Sequence, residues 1–177
     1  MTQKNTASNL DTHTDHYADR NPTSIDNLND RIQTHDGSQP EVSVTITAEL
    51  VPDHERLSIT ADLFGFFFPM KLEPAIFHFA GQLSEDYLGA YWEFYRLSNG
   101  GFYMAPDDEE CFKVSSMNGF EGTLSADALG IAVCLYAYSH LSFGEGKFAE
   151  SCAEHYHLLL DYACEHPDAG VILRVID

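Results

Sequence analysis

The dipeptide Asn99-Gly100, set between the aromatic runs Tyr91–Tyr95 and Phe102–Tyr103, constrains this chain more than any other feature. A two-residue type I′ turn needs positive φ at both central positions, which asparagine and glycine tolerate best. The pattern predicts a hairpin with Leu97 opposite Phe102, Arg96 opposite Tyr103, Tyr95 opposite Met104 and Phe94 opposite Ala105. Large apolar side chains then fall on both faces, so the ribbon is expected to be covered from two sides. Beyond the acidic loop Asp107-Asp108-Glu109-Glu110, the run Cys111–Ser115 reads as a third strand.

The flanking sequence divides into a tail and one domain. Residues 1–40 are rich in Asn, Asp, Thr, Ser and His, and their few apolar residues follow neither a helical nor a strand period. Such a segment cannot bury enough surface to offset its ordering entropy, so a flexible polar tail is expected. The single domain is expected over 41–177. Val42, Val44 and Ile46 alternate with polar residues, as in a strand or extended arm. A short helix is expected over 55–63, then the knot Phe64-Gly65-Phe66-Phe67-Phe68-Pro69, its three adjacent phenylalanines assigned to the core. Pro74 opens a helix running to Tyr87, with Ile76, Phe77, Phe79, Ala80 and Leu83 at helical spacing.

Ser125 N-caps a helix that is apolar on every side through His140, as a central buried helix must be. After Gly144-Glu145-Gly146, a second helix runs to about Glu165. Its inner stripe is Phe148, Cys152, Tyr156, Leu159 and Ala163, and its outer stripe is Glu150, Glu154, His157 and Asp161. Residues 171–176 pack back as a last short segment. The fold class is α/β, in the α+β sense: a small antiparallel sheet of about three strands around the central hairpin, covered by four or five helices.

Charge limits the partners. Lys and Arg number 9 against 28 Asp and Glu, a formal net charge of -19. Nucleic-acid binders replace phosphate counterions with Lys and Arg, and the six basic residues of the domain are scattered, so direct nucleic-acid binding is not expected. No apolar run is long enough to span a bilayer, and no apolar stretch follows the N-terminal lysine, so a cytoplasmic protein without membrane contact is expected. Cys111, Cys134, Cys152 and Cys164 have no paired spacing and apolar neighbours, and read as buried free thiols.

Catalytic patterns are weak. Glu154, His157 and Asp161 share one helical face, as a metal-dependent hydrolase would require, but the Glu-x-x-His element occurs once where a di-iron bundle needs two. The sequence holds no HExxH, no zinc-type Cys/His spacing, no GxSxG and no phosphate-binding glycine loop. Asp107–Glu110 lacks the spacing and glycine of a calcium loop. No metal, cofactor or catalytic residue is expected. The bland reading of the acidic stretches is solvated surface.

One stretch carries a resemblance. Tyr91, Trp92, Phe94 and Tyr95, then Leu97-Ser98-Asn99-Gly100-Gly101-Phe102-Tyr103-Met104-Ala105-Pro106, resemble the signature of the plasmid-borne antirestriction proteins of the ArdB/KlcA type. Leu50-Val51-Pro52 through Arg56-Leu57 to Phe64-Gly65, Asn118-Gly119-Phe120 to Ser125-Ala126-Asp127, and His166-Pro167 to Asp177 are similar in the same order. The resemblance implies a compact α/β domain, borne by mobile elements, that relieves type I restriction of unmodified DNA without a cofactor or enzymatic activity. The implied partner is a type I restriction-modification complex or an associated host factor, bound by a monomer or weak homodimer.

Three alternatives stay open at this point: an acidic DNA mimic, the hydrolase built on Glu154, His157 and Asp161, and a plain scaffold for a basic partner. The domain's 22 acidic residues against six basic ones suit the mimic. For an interaction protein, exposure and charge select the hairpin tip Ser98, Asn99, Gly100 and Gly101 with the acidic loop Asp107, Asp108, Glu109 and Glu110.

Overall fold

A computed structural model describes residues 45–108 and 111–177. The tail expected over 1–40, Val42, Val44, Glu109 and Glu110 lie outside the described residues. Among those described, three antiparallel strands form one sheet in the order β1 (Ala48–Leu50), β2 (Trp92–Leu97) and β3 (Phe102–Pro106). A second sheet pairs β4 (Cys111–Ser115) with β5 (Glu121–Ser125). The third strand of the first sheet is therefore β1, and Cys111–Ser115 belongs to a separate ribbon.

The hairpin register differs from expectation by one residue. Arg96 stands opposite Phe102, Tyr95 opposite Tyr103, Phe94 opposite Met104 and Glu93 opposite Ala105. The reason is the turn. Leu97 N–H donates to Gly101 O at 2.8 Å and Gly100 N–H to Leu97 O at 2.9 Å, enclosing a three-residue loop, Ser98-Asn99-Gly100. Gly100 carries positive φ, 92°, as the left-handed residue closing such a loop. The two-sided cover does hold for β3, where all five residues are buried.

Among the described residues, five helices pack around the sheets. α1 (Arg56–Phe64) is followed by a π-helical turn, Phe68–Leu72, that runs unbroken into α2 (Glu73–Leu83). α2 stops four residues short of Tyr87, where Ser84 turns extended. Of the three adjacent phenylalanines, only Phe68 enters the core; Phe66 is 71% exposed and Phe67 40%. Phe66 and Phe67 lie between α1 and the π-helical segment, and only Phe68 falls within that segment. Phe67 instead stacks on Phe148 at 4.8 Å.

α3 (Ala126–Ser142) is the central helix, with eleven buried residues on every side. Its cap is as expected: Ser125 Oγ accepts from Ala128 N–H at 3.2 Å. Gly130 lets it close on β3, since a Cβ there would lie 2.5 Å from Ala105 Cα and Met104 O. α4 (Lys147–Glu165) buries Ala149, Cys152, His155, Leu159 and Ala163, while Phe148 and Tyr156 are only half-buried. α5 (Ala169–Ile176) is the returning segment. Cys134 and Cys152 are buried; Cys111 and Cys164 are exposed, on the outer alternation of β4 and one residue past the inner stripe of α4. No helix among the described residues is long and apolar enough to cross a membrane.

Candidate functional site

The two halves of the predicted interaction surface lie at opposite ends of β3, roughly 17 Å apart for five extended residues. The hairpin tip is engaged inwards. Asn99 Nδ2 donates to Leu158 O of α4 at 2.8 Å, and its Oδ1 accepts from Gly101 N–H at 3.0 Å. Ser98 Oγ accepts from Thr47 N–H at 3.0 Å. Gly101 is buried, and a Cβ there would meet Leu97, Asn99 and Leu158 within 3.1 Å. Ser98 and Gly100 keep the exposed surface of the tip.

At the other end, Asp107 and Asp108 border a cleft of about 320 Å³ walled by Tyr95, Tyr103 and Tyr162. Tyr95 and Tyr103 are direct cross-strand partners, their rings stacked at 4.8 Å and 12°. Tyr162 of α4 stacks on Tyr103 from beyond at 5.8 Å. Each hydroxyl of the strand pair serves a carboxylate: Tyr95 donates to Glu93 Oε2 at 2.6 Å and Tyr103 to Asp127 Oδ1 at 2.8 Å. Burial first, then the neighbouring carboxylates, holds both phenols well above their ordinary range, so both remain donors.

Asp127 is also held by His166, Nε2 to Oδ2 at 2.9 Å. His166 Nδ1 accepts the Asp168 N–H at 3.0 Å, which leaves the proton of a neutral ring on Nε2, facing Asp127. Asp168 in turn accepts from Ser125 Oγ at 2.9 Å. This network ties the start of α3 to the α4–α5 corner and fixes the Asp127 carboxylate of the cleft. The sequence alone marks neither Asp127 nor Tyr162 for such a site, because the partners of Asp127 are 24 and 39 residues away along the chain. Their signal was indirect: Ser125-Ala126-Asp127 and His166-Pro167 both belong to the stretches that carry the family resemblance.

The cleft offers Glu93, Asp107, Asp108 and Asp127 with no Lys or Arg in its lining. Its chemistry suits a cationic group against tyrosine faces and carboxylates. Both ring nitrogens of His166 are engaged, Nε2 with Asp127 and Nδ1 with the Asp168 N–H. Glu154, His157 and Asp161 stand exposed on α4, and among the described residues no group of three or more His, Cys, Asp or Glu is placed to hold a metal ion.

Comparison with known proteins agrees with the fold and the signature. The family model described as "Antirestriction protein" matches residues 85–177. The antirestriction protein KlcA of Escherichia coli is 40% identical over 135 residues, covering 75% of this chain and 95% of KlcA. YafX of Escherichia coli K12 is 41% identical over 144 residues, 79% of this chain and 92% of YafX. A solved structure matches with a TM-score of 0.70 and 39% identity, over 78% of this chain and 96% of that one. It is described as showing that the KlcA and ArdB proteins have a novel fold and antirestriction activity against type I DNA restriction systems in vivo but not in vitro. Five helices, two small antiparallel sheets and a shared signature make the conclusion plain: this chain belongs to the antirestriction protein family, of the ArdB/KlcA type.

Proposed function

We propose that this protein relieves type I restriction of unmodified DNA as a non-catalytic binder that reaches the restriction machinery through a cellular intermediary. One observation carries the reading: the solved relative is described as active against type I systems in vivo but not in vitro. A direct inhibitor should act on purified enzyme, whereas a protein that recruits or diverts a host factor needs the cell. The contact surface proposed is the end of the hairpin that carries Asp107 and Asp108, with the tyrosine-walled cleft receiving a basic side chain of the partner. Charge favours such an approach, as an acidic surface steers a basic partner at long range.

The deciding experiment is the plating of unmodified phage on strains carrying different restriction systems. Relief is expected on type I strains, and Asp107→Asn/Asp108→Asn should lower it by about tenfold or more, the worth of one charge-assisted contact. Unchanged plating by soluble wild-type protein would sink the function; full relief by the double variant would sink only the surface. DNA mimicry, the reading favoured by 22 acidic against six basic residues in the domain, makes a different prediction. A mimic inhibits purified enzyme, and added DNA or salt releases it.

A further inference from the structure

A second cleft, of about 380 Å³, opens between α1, the π-helical turn and the start of β2, away from the tyrosine-walled cleft. Arg56 forms its back wall and is already spent. Its Nη1 donates to Trp92 O at 2.9 Å, and its Nη2 pairs with Asp53 at 2.9 Å. The guanidinium lies 4.9 Å from the ring centres of both Tyr91 and Phe94. Its Nε has no partner but is wholly enclosed, so it cannot meet a ligand without rearrangement. Asp53 is neutralised by Arg56 and also accepts from Tyr91 OH at 3.1 Å. An anion therefore finds no free donor in this wall.

Glu73 is the remaining charge. It stands in the first turn of α2, half-buried, and its carboxylate makes no hydrogen bond or ion pair among the described residues. Burial raises its pKa. Around it the walls are apolar: Phe68, Phe94, Pro69, and Leu57, which is 85% exposed. With Arg56 and Asp53 cancelling, the cleft holds one unmatched negative charge beside apolar walls. Its volume fits a side-chain-sized or small-molecule group.

We propose that this cleft is a binding site for an amine or guanidinium carried on an apolar stem, with Glu73 taking the cationic head and Leu57, Pro69 and Phe68 taking the stem. The source is a lysine or arginine side chain of a protein partner, or a small hydrophobic amine. The two are separable. Full-length ¹⁵N-labelled protein is titrated with phenethylamine, with phenethyl alcohol as the uncharged control. The amine should give saturable shifts centred on Leu57, Thr60, Glu73 and Tyr91; the alcohol should not. Glu73→Gln should weaken amine binding by about tenfold, the loss of one charged hydrogen bond. Leu57→Ser, at an exposed position that folding does not need, should weaken it less. Competition by a capped pentapeptide with a central lysine assigns the source to a protein segment, and binding of phenethylamine alone assigns it to a small molecule; both results support the site. Equal shifts from amine and alcohol, or unchanged affinity in Glu73→Gln, overturn it. Plating assays do not enter this test, so its failure leaves the antirestriction reading untouched.

Discussion

Leu97-Ser98-Asn99-Gly100-Gly101 and Ser116-Met117-Asn118-Gly119-Phe120 are two turns of one construction. Each closes a three-residue loop with the same pair of backbone hydrogen bonds, and each places its glycine at positive φ, 92° and 84°. In each, the asparagine Oδ1 accepts the N–H two residues on, while Nδ2 reaches a helix carbonyl. Their surroundings differ. Asn99 is half-buried against the middle of α4, and β3 beyond it is buried throughout. Asn118 is exposed, its Nδ2 donates to Arg174 O of α5 and to Asp177 O just beyond it, and β4 alternates exposed and buried. The same turn thus serves as a core fastening in one hairpin and as a surface clasp in the other. What distinguishes them is the layer behind: α3 presses Gly130 onto β3, and no helix glycine closes on the β4–β5 ribbon in that way.

The sharpest way to break this contrast is Gly130→Ala. The new methyl meets backbone atoms at 2.5 Å, which cannot swing aside as a side-chain tip could. A loss of about 3 kcal/mol in urea denaturation is expected, the upper range of overpacking, despite the better helix propensity of alanine. Next come Asn99→Ala and Asn118→Ala, compared side by side. Asn99→Ala leaves the buried Gly101 N–H without its acceptor and should cost about 2 kcal/mol, while water replaces the exposed Asn118 at a cost of about 1 kcal/mol or less. Equal losses in thermal melts would erase the distinction.

The smallest effect is in pH. His155 of α4 meets Phe64 at a tilt and stacks on Tyr138, whose hydroxyl donates to Phe102 O of the first hairpin. Its Nδ1 is buried without a partner, and burial lowers its pKa despite the opposing charge of Glu154. The folded state therefore holds it neutral while the unfolded chain takes up a proton below about pH 6.5. Stability contributed by this site should fall as pH drops from above that value towards the lowered folded pKa, and level off beneath it. His155→Phe should flatten that part of the profile, and amide exchange should show the loss in β3 before β4.

The comparison also shows what the sequence made legible. Asn99-Gly100 stood between aromatics, so a hairpin could be read there; the loop length could not, because two-residue and three-residue loops both accept Asn-Gly, and one residue of loop moves the whole register. Asn118-Gly119 is the same device, but it follows Lys113, Val114 and Ser115 and precedes Glu121, with no aromatic alternation to mark a second ribbon. α3 was legible from Ser125 and its continuous apolar run. The tyrosine-walled cleft was not, because Tyr95, Tyr103, Asp127 and Tyr162 come from four elements and meet only through the tertiary fold. Asp107 and Asp108 were found by charge alone, and Glu73 by neither charge nor pattern, since one acid among 28 carries no mark until its cleft is seen.

Ser125 ends β5 and caps α3 in a single residue, so the ribbon becomes the central helix with no connecting loop. One inserted residue there would turn α3 by about 100° relative to the ribbon and carry Gly130 away from Ala105. Because α3 is apolar on all sides, such a slip would hide no less oil and would still unseat the close approach on which the first sheet rests. The chain has slack instead at Phe143-Gly144-Glu145-Gly146, where four exposed residues join α3 to α4. Length changes among proteins of this fold should accumulate at that corner and be absent at the strand-to-helix joint, a record of where the architecture forgives copying errors and where it does not.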